Sequence, residues 1–418
     1  MTSKIALLQA NPVVGDIAGN AMMICNLASI AAEEGASFAV TTELAISGYP
    51  PRDLLIQSDF VTECHQVASS LETEIPVLVG TPVPPVNDRS LPGNGVVRAG
   101  DSVREVTRKQ LLPTYDVFDE ARYFEADERP GIARTIAGLD IGVTICEDAW
   151  QHCGATPNDY DSDPIAQIVE WGRQGVVLDA TVNLSASPYH ANKSGIRIAV
   201  ARSAASSLNH PFLLANQVGG NDDLLFDGRS IIAWPDGTAV VAPAWTRGVL
   251  LTDLSNPEGC KWIGDGEVTI LKPGEELKED ENDLLDAIVI GLADYCRKSG
   301  ISKIVLGLSG GIDSALAACV ASAAVGAQNV TGISMPSKHS SQHSIDDAKA
   351  TAEALGLNFI IQPITDLHSA SDLALKDILE GGHPVAGENL QARLRGLIVM
   401  AHANAHGAMA IATGNKSE

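Results

Sequence analysis

The sequence predicts an α/β protein of two domains, the first built on a mixed, partly antiparallel sheet and the second on a doubly wound parallel one. Three observations carry this. The chain has 418 residues, enough for two cores of ordinary size. Short β-branched runs alternate with helix-period segments along nearly all of it. A Pro/Gly-led acidic run, PGEELKEDEND at 273–283, separates a region with hairpin signals from one without them.

In the first region, strands are expected at residues 4–10, 38–43, 76–81, 139–145, 175–184 and 211–218, because these runs are apolar and rich in Val, Ile, Thr and Leu. Helices are expected near 18–34, 57–71, 164–174 and 192–207. The paired runs 94–99 with 103–107, and 230–234 with 238–242, read as hairpins, the second turned by Pro235-Asp236-Gly237. Beyond the acidic run come helix 281–298, strand 303–308, helix 313–325, strand 330–335, helix 344–355, strand 358–363, helices across 366–406, and strand 408–413. Such βαβ succession gives a parallel sheet whose ligands lie at the carboxyl ends of the strands. No repeat or low-complexity tract interrupts it.

The composition excludes several classes. A net charge of −24, from 28 Lys and Arg against 52 Asp and Glu, with no basic block, argues against nucleic acid and against an anionic membrane surface as partners. Seven scattered cysteines without a CxxC pair suit free thiols in a reducing compartment. The opening MTSKIALLQANP reads as a first strand and not as a signal peptide. The apolar windows at 315–327 and 396–412 are too short, or too interrupted by His402, Asn404 and His406, to span a bilayer. A cytoplasmic enzyme is expected.

Two motifs carry chemistry. In KIVLGLSGGIDSAL, residues 303–316, a strand gives way to a helix through Gly307, Leu308, Ser309, Gly310, Gly311, Ile312, Asp313 and Ser314. Glycines there let backbone N–H groups turn inward as an anion nest, the helix N-terminus adds positive dipole, and Ser309 and Ser314 can donate to phosphate oxygens. Asp313 suits a helix cap or a Mg²⁺ ligand. A Gly-rich turn with an Asp cap would leave the same trace.

The second motif is IGVTICEDAW, residues 141–150, which places Cys146 at the end of an apolar strand. A cysteine there is by default a small buried hydrophobe. A metal site with His152 and Cys153 matches no common zinc spacing. Cys146 has company in chain order, however: Glu43 ends one strand and Lys109 follows another, so the three can meet at one sheet edge. A thiol must lose its proton to attack an amide carbon, and Glu43 is the candidate base. Lys109 supplies fixed positive charge for thiolate and oxyanion, together with a backbone N–H after Cys146.

These words resemble known families. SGGIDS resembles the ATP pyrophosphatase loop, and with MPSKHSSQHSIDDAKATAEALG (335–356), ENLQARLRG (388–396) and ATGNKSE (412–418) it is similar to the synthetase domain of NAD synthetases. The Glu-Lys-Cys set, with TTELAISGYPPRDLL, RKQLLPTYDVFDEARYF and NLSASPYHANKSGIR, resembles the nitrilase superfamily, in the form of the glutaminase domain of glutamine-dependent NAD synthetases. The resemblance implies a nitrilase-like α-β-β-α sandwich at residues 1–260, a linker at 261–283 and a Rossmann-like synthetase domain at 284–418.

It also implies roles. Glu120 would orient Lys109, though it could be a solvated loop acid. Tyr115, Ser187 and Lys193 would grip the α-amino and α-carboxylate groups of L-glutamine, though each suits a structural role too, and Ser187 precedes a proline. The loop 307–314 and Thr413 would hold ATP, Asn389 and Glu418 deamido-NAD, and Asp313 with Glu418 a Mg²⁺ ion. Arg393 and Arg395 read as surface charges. The activity implied is ATP-dependent amidation of deamido-NAD with ammonia from glutamine, in a homo-oligomer, the ammonia travelling enclosed because ammonium is no nucleophile. The family continues past TGNKSE, so the synthetase half is expected to be incomplete in this chain, with weak glutamine hydrolysis and little NAD made. The alternative is a nitrilase-like amidase with a silent second domain.

Overall fold

The computed structural model describes residues 4–87, 90–101, 104–274, 281–338, 340–380, 383 and 385–413, in two compact units, Met1–Leu284 and Leu285–Glu418.

The first unit opens with β1 (Lys4–Gln9), α1 (Ile17–Glu33), β2 (Phe38–Val40), α2 (Ser58–Ser69), β3 (Val77–Val83), β4 (Gly93–Ala99) and β5 (Arg104–Arg108). It continues through β6 (Gly131–Ile136), β7 (Leu139–Ile145), α3 (Pro164–Arg173), β8 (Ala180–Ser185), α4 (Lys193–Leu208) and β9 (Phe212–Asn216). The short strands β10 (Val218–Asn221), β11 (Leu224–Asp227), β12 (Ile231–Ala233) and β13 (Ala239–Val241) follow, then β14 (Gly248–Asp253), β15 (Asn256–Gly264) and β16 (Glu267–Ile270). One sheet has the order β16-β15-β14-β1-β2-β3-β4-β5 and the other β13-β12-β9-β8-β7-β6. Only the central strands run parallel, β1 to β3 in one sheet and β7 to β9 in the other.

Period-two alternation explains the layering. Ile5 and Leu7 of β1 join Val143, Ile145, Val182 and Leu213 in a core between the sheets. Ala6 and Leu8, one residue out of phase, join Ile24 and Leu27 of α1 and Cys64 of α2 on the outer face. The outer face of the second sheet packs Phe212 and Leu214 on Val200 and Ala204 of α4. This is the expected α-β-β-α sandwich.

Four differences from the sequence expectation have local causes. β2 ends at Val40 and not at 43, because the Gly80 N–H turns to the Thr41 hydroxyl (2.9 Å) and the chain swings out with Leu44 at φ 47°. β8 begins at Ala180 and not at 175, because residues 174–176 close the end of α3 through Val176 N–H to Trp171 C=O (2.9 Å), with Gly175 at φ 91°. The run at 211–218 splits into β9 and the start of β10, which pairs only with β11. Residues 261–270, expected within the linker, form the rest of β15 and β16 at the edge of the large sheet.

In the second unit α5 (Glu281–Lys298) leads to β17 (Ile304–Gly307), α6 (Ile312–Val325), β18 (Val330–Ser334), α7 (Gln342–Leu355) and β19 (Asn358–Ile361). Then come α8 (Thr365–Ala374), α9 (Lys376–Leu379), α10 (Val385–His406) and β20 (Met409–Ile411). The sheet is parallel throughout, in the order β19-β18-β17-β20. Ile304 and Leu306 pack on Ala318, Ala321, Ala348 and Ala352 on one face, while Val305 and Ile333 meet Ala403 of α10 on the other. The strand order reverses between β17 and β20, which is where open α/β sheets bind ligands. No helix among the described residues is long and apolar enough to cross a membrane.

Candidate active sites

The sequence trio meets beyond the carboxyl ends of β2, the edge strand β5 and β7. Lys109, directly after β5, is fully buried and places its Nζ 2.8 Å from Glu43 Oε1 and 2.8 Å from both oxygens of Glu120. Glu120 also accepts from the Tyr49 hydroxyl at 2.8 Å, so it is a buried partner of Lys109 and not a solvated loop acid. Asn94 on β4 donates to Glu43 Oε1 (2.7 Å), and the backbone N–H of Ala186 donates to Glu43 Oε2 (3.0 Å). The Lys109 N–H donates to the Asn94 carbonyl at 2.8 Å, so one residue of β4 aligns both the candidate base and the cation.

Cys146 is 5 % exposed, follows β7 directly and sits at φ 43°, a left-handed conformation that a cysteine adopts only when its surroundings enforce it. Its carbonyl accepts from Asn183 Nδ2 at 3.3 Å. Burial first, and the Glu43 carboxylate second, push the thiol well above its ordinary pKa, against the pull of Lys109. Burial opposes the Lys109 ammonium, but Glu120, Glu43 and the thiol together outweigh it and raise its pKa well above the usual value. Burial raises the Glu120 carboxyl to about 7, with Lys109 drawing it back. The resting arrangement is thus a protonated thiol beside a fixed cation and a carboxylate held by three donors, poised to exchange one proton.

Cys146 lines a cavity of about 230 Å³. Tyr115, Ser187 and Lys193 line the same cavity, with Phe118, Glu147 and Trp150. Glu147, which the sequence reading passed over, accepts from the Tyr115 hydroxyl (2.7 Å) and the Tyr160 hydroxyl (3.2 Å). The Lys193 ammonium lies 5.3 Å from the centre of the Trp150 ring, and burial, then Arg197, lower its pKa. The cavity therefore holds one lysine cation, two carboxylates (Asp116 and Glu147), the His190 imidazole and two hydroxyls around a thiol, groups that suit a zwitterion with a reactive side chain. The metal reading for Cys146 fails: His152 pairs with Asp163 (2.8 Å) and Ser207 (2.8 Å). Among the described residues no cluster of His, Cys, Asp and Glu could hold a metal ion. All seven cysteines are free.

In the second unit a cavity of about 800 Å³ opens at the carboxyl ends of β17, β18 and β20. Gly307, Leu308, Ser309 and Thr413 line it. Gly310, Gly311, Ile312, Asp313 and Ser314 continue the same loop into α6 without lining the cavity, and Asn389 lies exposed on α10. Glu418 lies outside the described residues. Arg395, read from sequence as a surface charge, is half-buried in the cavity wall and donates from Nε to the Met335 carbonyl (3.2 Å). Arg393 is exposed.

The loop is internally bonded. The Ser309 N–H donates to Ser314 Oγ (3.2 Å), the Gly311 N–H to Ser309 Oγ (3.2 Å), and Ser314 Oγ to the Gly311 carbonyl (2.9 Å). Gly310 has φ 86°, and a Cβ there would stand 2.4 Å from the Ser344 carbonyl oxygen, so only glycine fits.

Comparison with known proteins matches each unit to a family. The family model for carbon-nitrogen hydrolase matches residues 4–262, and that for NAD synthase matches residues 284–418. A glutamine-dependent NAD(+) synthetase of Synechocystis sp. is 39 % identical over 426 residues, covering 99 % of this chain and 74 % of the relative. The structure of a glutamine-dependent NAD+ synthetase from Acinetobacter baumannii in complex with ADP superposes with a TM-score of 0.86 at 29 % identity, covering 100 % of this chain and 75 % of that one. A nitrilase-superfamily amidase of Nesterenkonia AN1, at 19 % identity and a TM-score of 0.50 over 60 % of this chain and 90 % of its own, shares the fold of the first unit.

Proposed function

The chain belongs to the glutamine-dependent NAD(+) synthetase family, and from that premise we propose how its two units divide the reaction. The first releases ammonia from L-glutamine. The second activates the nicotinate carboxylate of deamido-NAD with ATP, and ammonia then converts the adenylate to NAD and AMP. The observation that carries this reading is the buried Glu43–Lys109–Glu120 cluster beside Cys146, a cysteine that lines one cavity with Tyr115, Ser187 and Lys193.

The glutamine side chain enters that cavity with its amide carbon against Cys146 Sγ, while Lys193, Ser187, Tyr115 and Glu147 surround its α-groups. Glu43 takes the thiol proton as sulfur attacks. The Lys109 charge offsets the thiolate and then the tetrahedral oxyanion, and Glu43 returns the proton to the leaving ammonia. A water molecule, deprotonated by the same carboxylate, cleaves the thioester to glutamate. Glu120 and Asn94 keep Lys109 and Glu43 in place through both steps.

In the second unit the loop 307–314 and Thr413 receive ATP, and the loop's N–H groups and serine hydroxyls exchange their bonds to one another for bonds to the departing pyrophosphate. Asn389 and Glu418 are assigned to deamido-NAD. Mg²⁺, when bound, neutralises phosphate charge. Asp313, exposed in the first turn of α6, would offer one hard carboxylate oxygen, and Glu418 is assigned as the second ligand. The acidic surface and free thiols support a cytoplasmic place, and a homo-oligomer is proposed from the family. The test has two arms. Glutamate release from L-glutamine must vanish in Cys146→Ala, and AMP formation from ATP must require deamido-NAD over other carboxylates.

A further inference from the structure

The reacting groups of the first unit come from two different sheets. Glu43, Asn94 and Lys109 belong to the β1–β5 side, and Cys146 with Asn183 to the β7–β8 side. Their separation is therefore not fixed by any one ladder of strand hydrogen bonds. Among the described residues, Glu43 crosses this gap to the Ala186 N–H and Tyr115 to Glu147, while Asp148 accepts from backbone groups next to both Cys146 and Lys109.

Asp148 is 2 % exposed. Its Oδ2 accepts from the backbone N–H of Ile145 at 2.9 Å, directly before Cys146. Its Oδ1 accepts from the backbone N–H groups of Gln110 (3.1 Å) and Leu111 (2.9 Å), directly after Lys109. A residue that only capped the turn at 146–149 would need the first bond alone. The other two reach across to the facing sheet and do nothing for that turn.

We propose that Asp148 is a positioning residue that sets the gap between Cys146 and Lys109 by tying the cysteine turn of one sheet to the lysine loop of the other. It does not line the substrate cavity, so its effect falls on the reacting geometry and not on substrate contact. The inference rests on the proposed glutaminase reading for its turnover arm only. Its second arm, thiol reactivity, needs no substrate.

The experiment compares the full chain with Asp148→Asn in two measurements: steady-state glutamine hydrolysis, and the pH profile of Cys146 alkylation by iodoacetamide, read by peptide mass spectrometry. The amide keeps the shape but presents an N–H where Asp148 accepts one, opening the clamp. Expected are a kcat lower by about 100-fold, the size of loss a shift of reacting groups by roughly 1 Å gives, and a KM within about threefold. The alkylation profile moves to higher pH by about one unit, as when a neighbouring cation withdraws. A purely structural role would lower thermal stability and leave that profile in place, and this outcome overturns the proposal, as does a variant with native kcat. If Asp148→Asn is insoluble, Asp148→Glu applies the same test: its longer arm keeps charge and acceptors but spreads the loops, and native kcat and profile in that variant overturn the proposal equally. Failure of the native chain to release glutamate would instead sink the glutaminase reading, leaving the alkylation arm to judge the clamp.

Discussion

The two candidate sites solve opposite problems. The cysteine centre is closed: Lys109 and Glu43 are fully buried, Glu120 nearly so, and every charge has a partner before any substrate arrives. The phosphate loop is open: Gly311, Ile312 and Asp313 are exposed, and its serines bond one another. Amide hydrolysis starts from neutral groups, so the protein must supply the charges and hold them in low dielectric. A nucleotide brings its own charge, so its site needs only N–H groups, hydroxyls and room. Substitutions should therefore damage the first site through electrostatics and the second through backbone shape.

The largest effect is expected from Lys109→Met. It leaves two carboxylates buried without their cation, costing about 3–5 kcal/mol of stability and at least about 100-fold in glutamate release, the loss typical of one transition-state donor. Denaturant melts and a glutamate assay read the two. Asn94→Ala removes a hydrogen bond to a charged acceptor and should cost about 1.5–3 kcal/mol, seen as slower glutamate release with native ATP binding. Gly310→Ala forces a left-handed residue against the Ser344 carbonyl, with strain of about 1–3 kcal/mol. ATP binding by calorimetry should weaken while glutamate release stays native, and the reverse pattern would break the contrast.

The smallest effect is a pH dependence. Glu120 binds its proton more tightly folded, at about 7, than at its ordinary value of 4.5. Its contribution to stability is present in full below that ordinary value and is lost as pH rises through about 7. Thermal melts between about pH 5 and 8 should show this decline, and Glu120→Gln should flatten it.

Legibility in the sequence follows the same divide. Cys146, Glu43 and the loop at 307–314 were readable because each follows an apolar strand, and strand ends in α/β sheets gather at one edge. Lys109 was readable from the same position. Tyr115, Ser187 and Lys193 came only through resemblance, and the structure brings all three into the cavity with Cys146. Asn94 and Asp148 could not be found this way. Asn94 sits inside a strand where it reads as a weak strand former, and Asp148 works on backbone groups nearly forty residues away in the chain. Arg395 misled because a charge on an exposed-looking helix gives no sign that the helix closes over a sheet edge. The β15–β16 extension was missed because Asn256–Gly264 and Glu267–Ile270 mix charge with few apolar residues, as edge strands do.

The central claim is that Cys146, primed by Glu43 and Lys109, forms a covalent bond with glutamine. Acid-quenched mass spectrometry of the chain turning over L-glutamine tests it most directly. The expected result is a glutamyl thioester on the peptide carrying Cys146, absent from the other six cysteines and from Cys146→Ala. Glutamate release without that adduct, or undiminished in Cys146→Ala, would contradict the account.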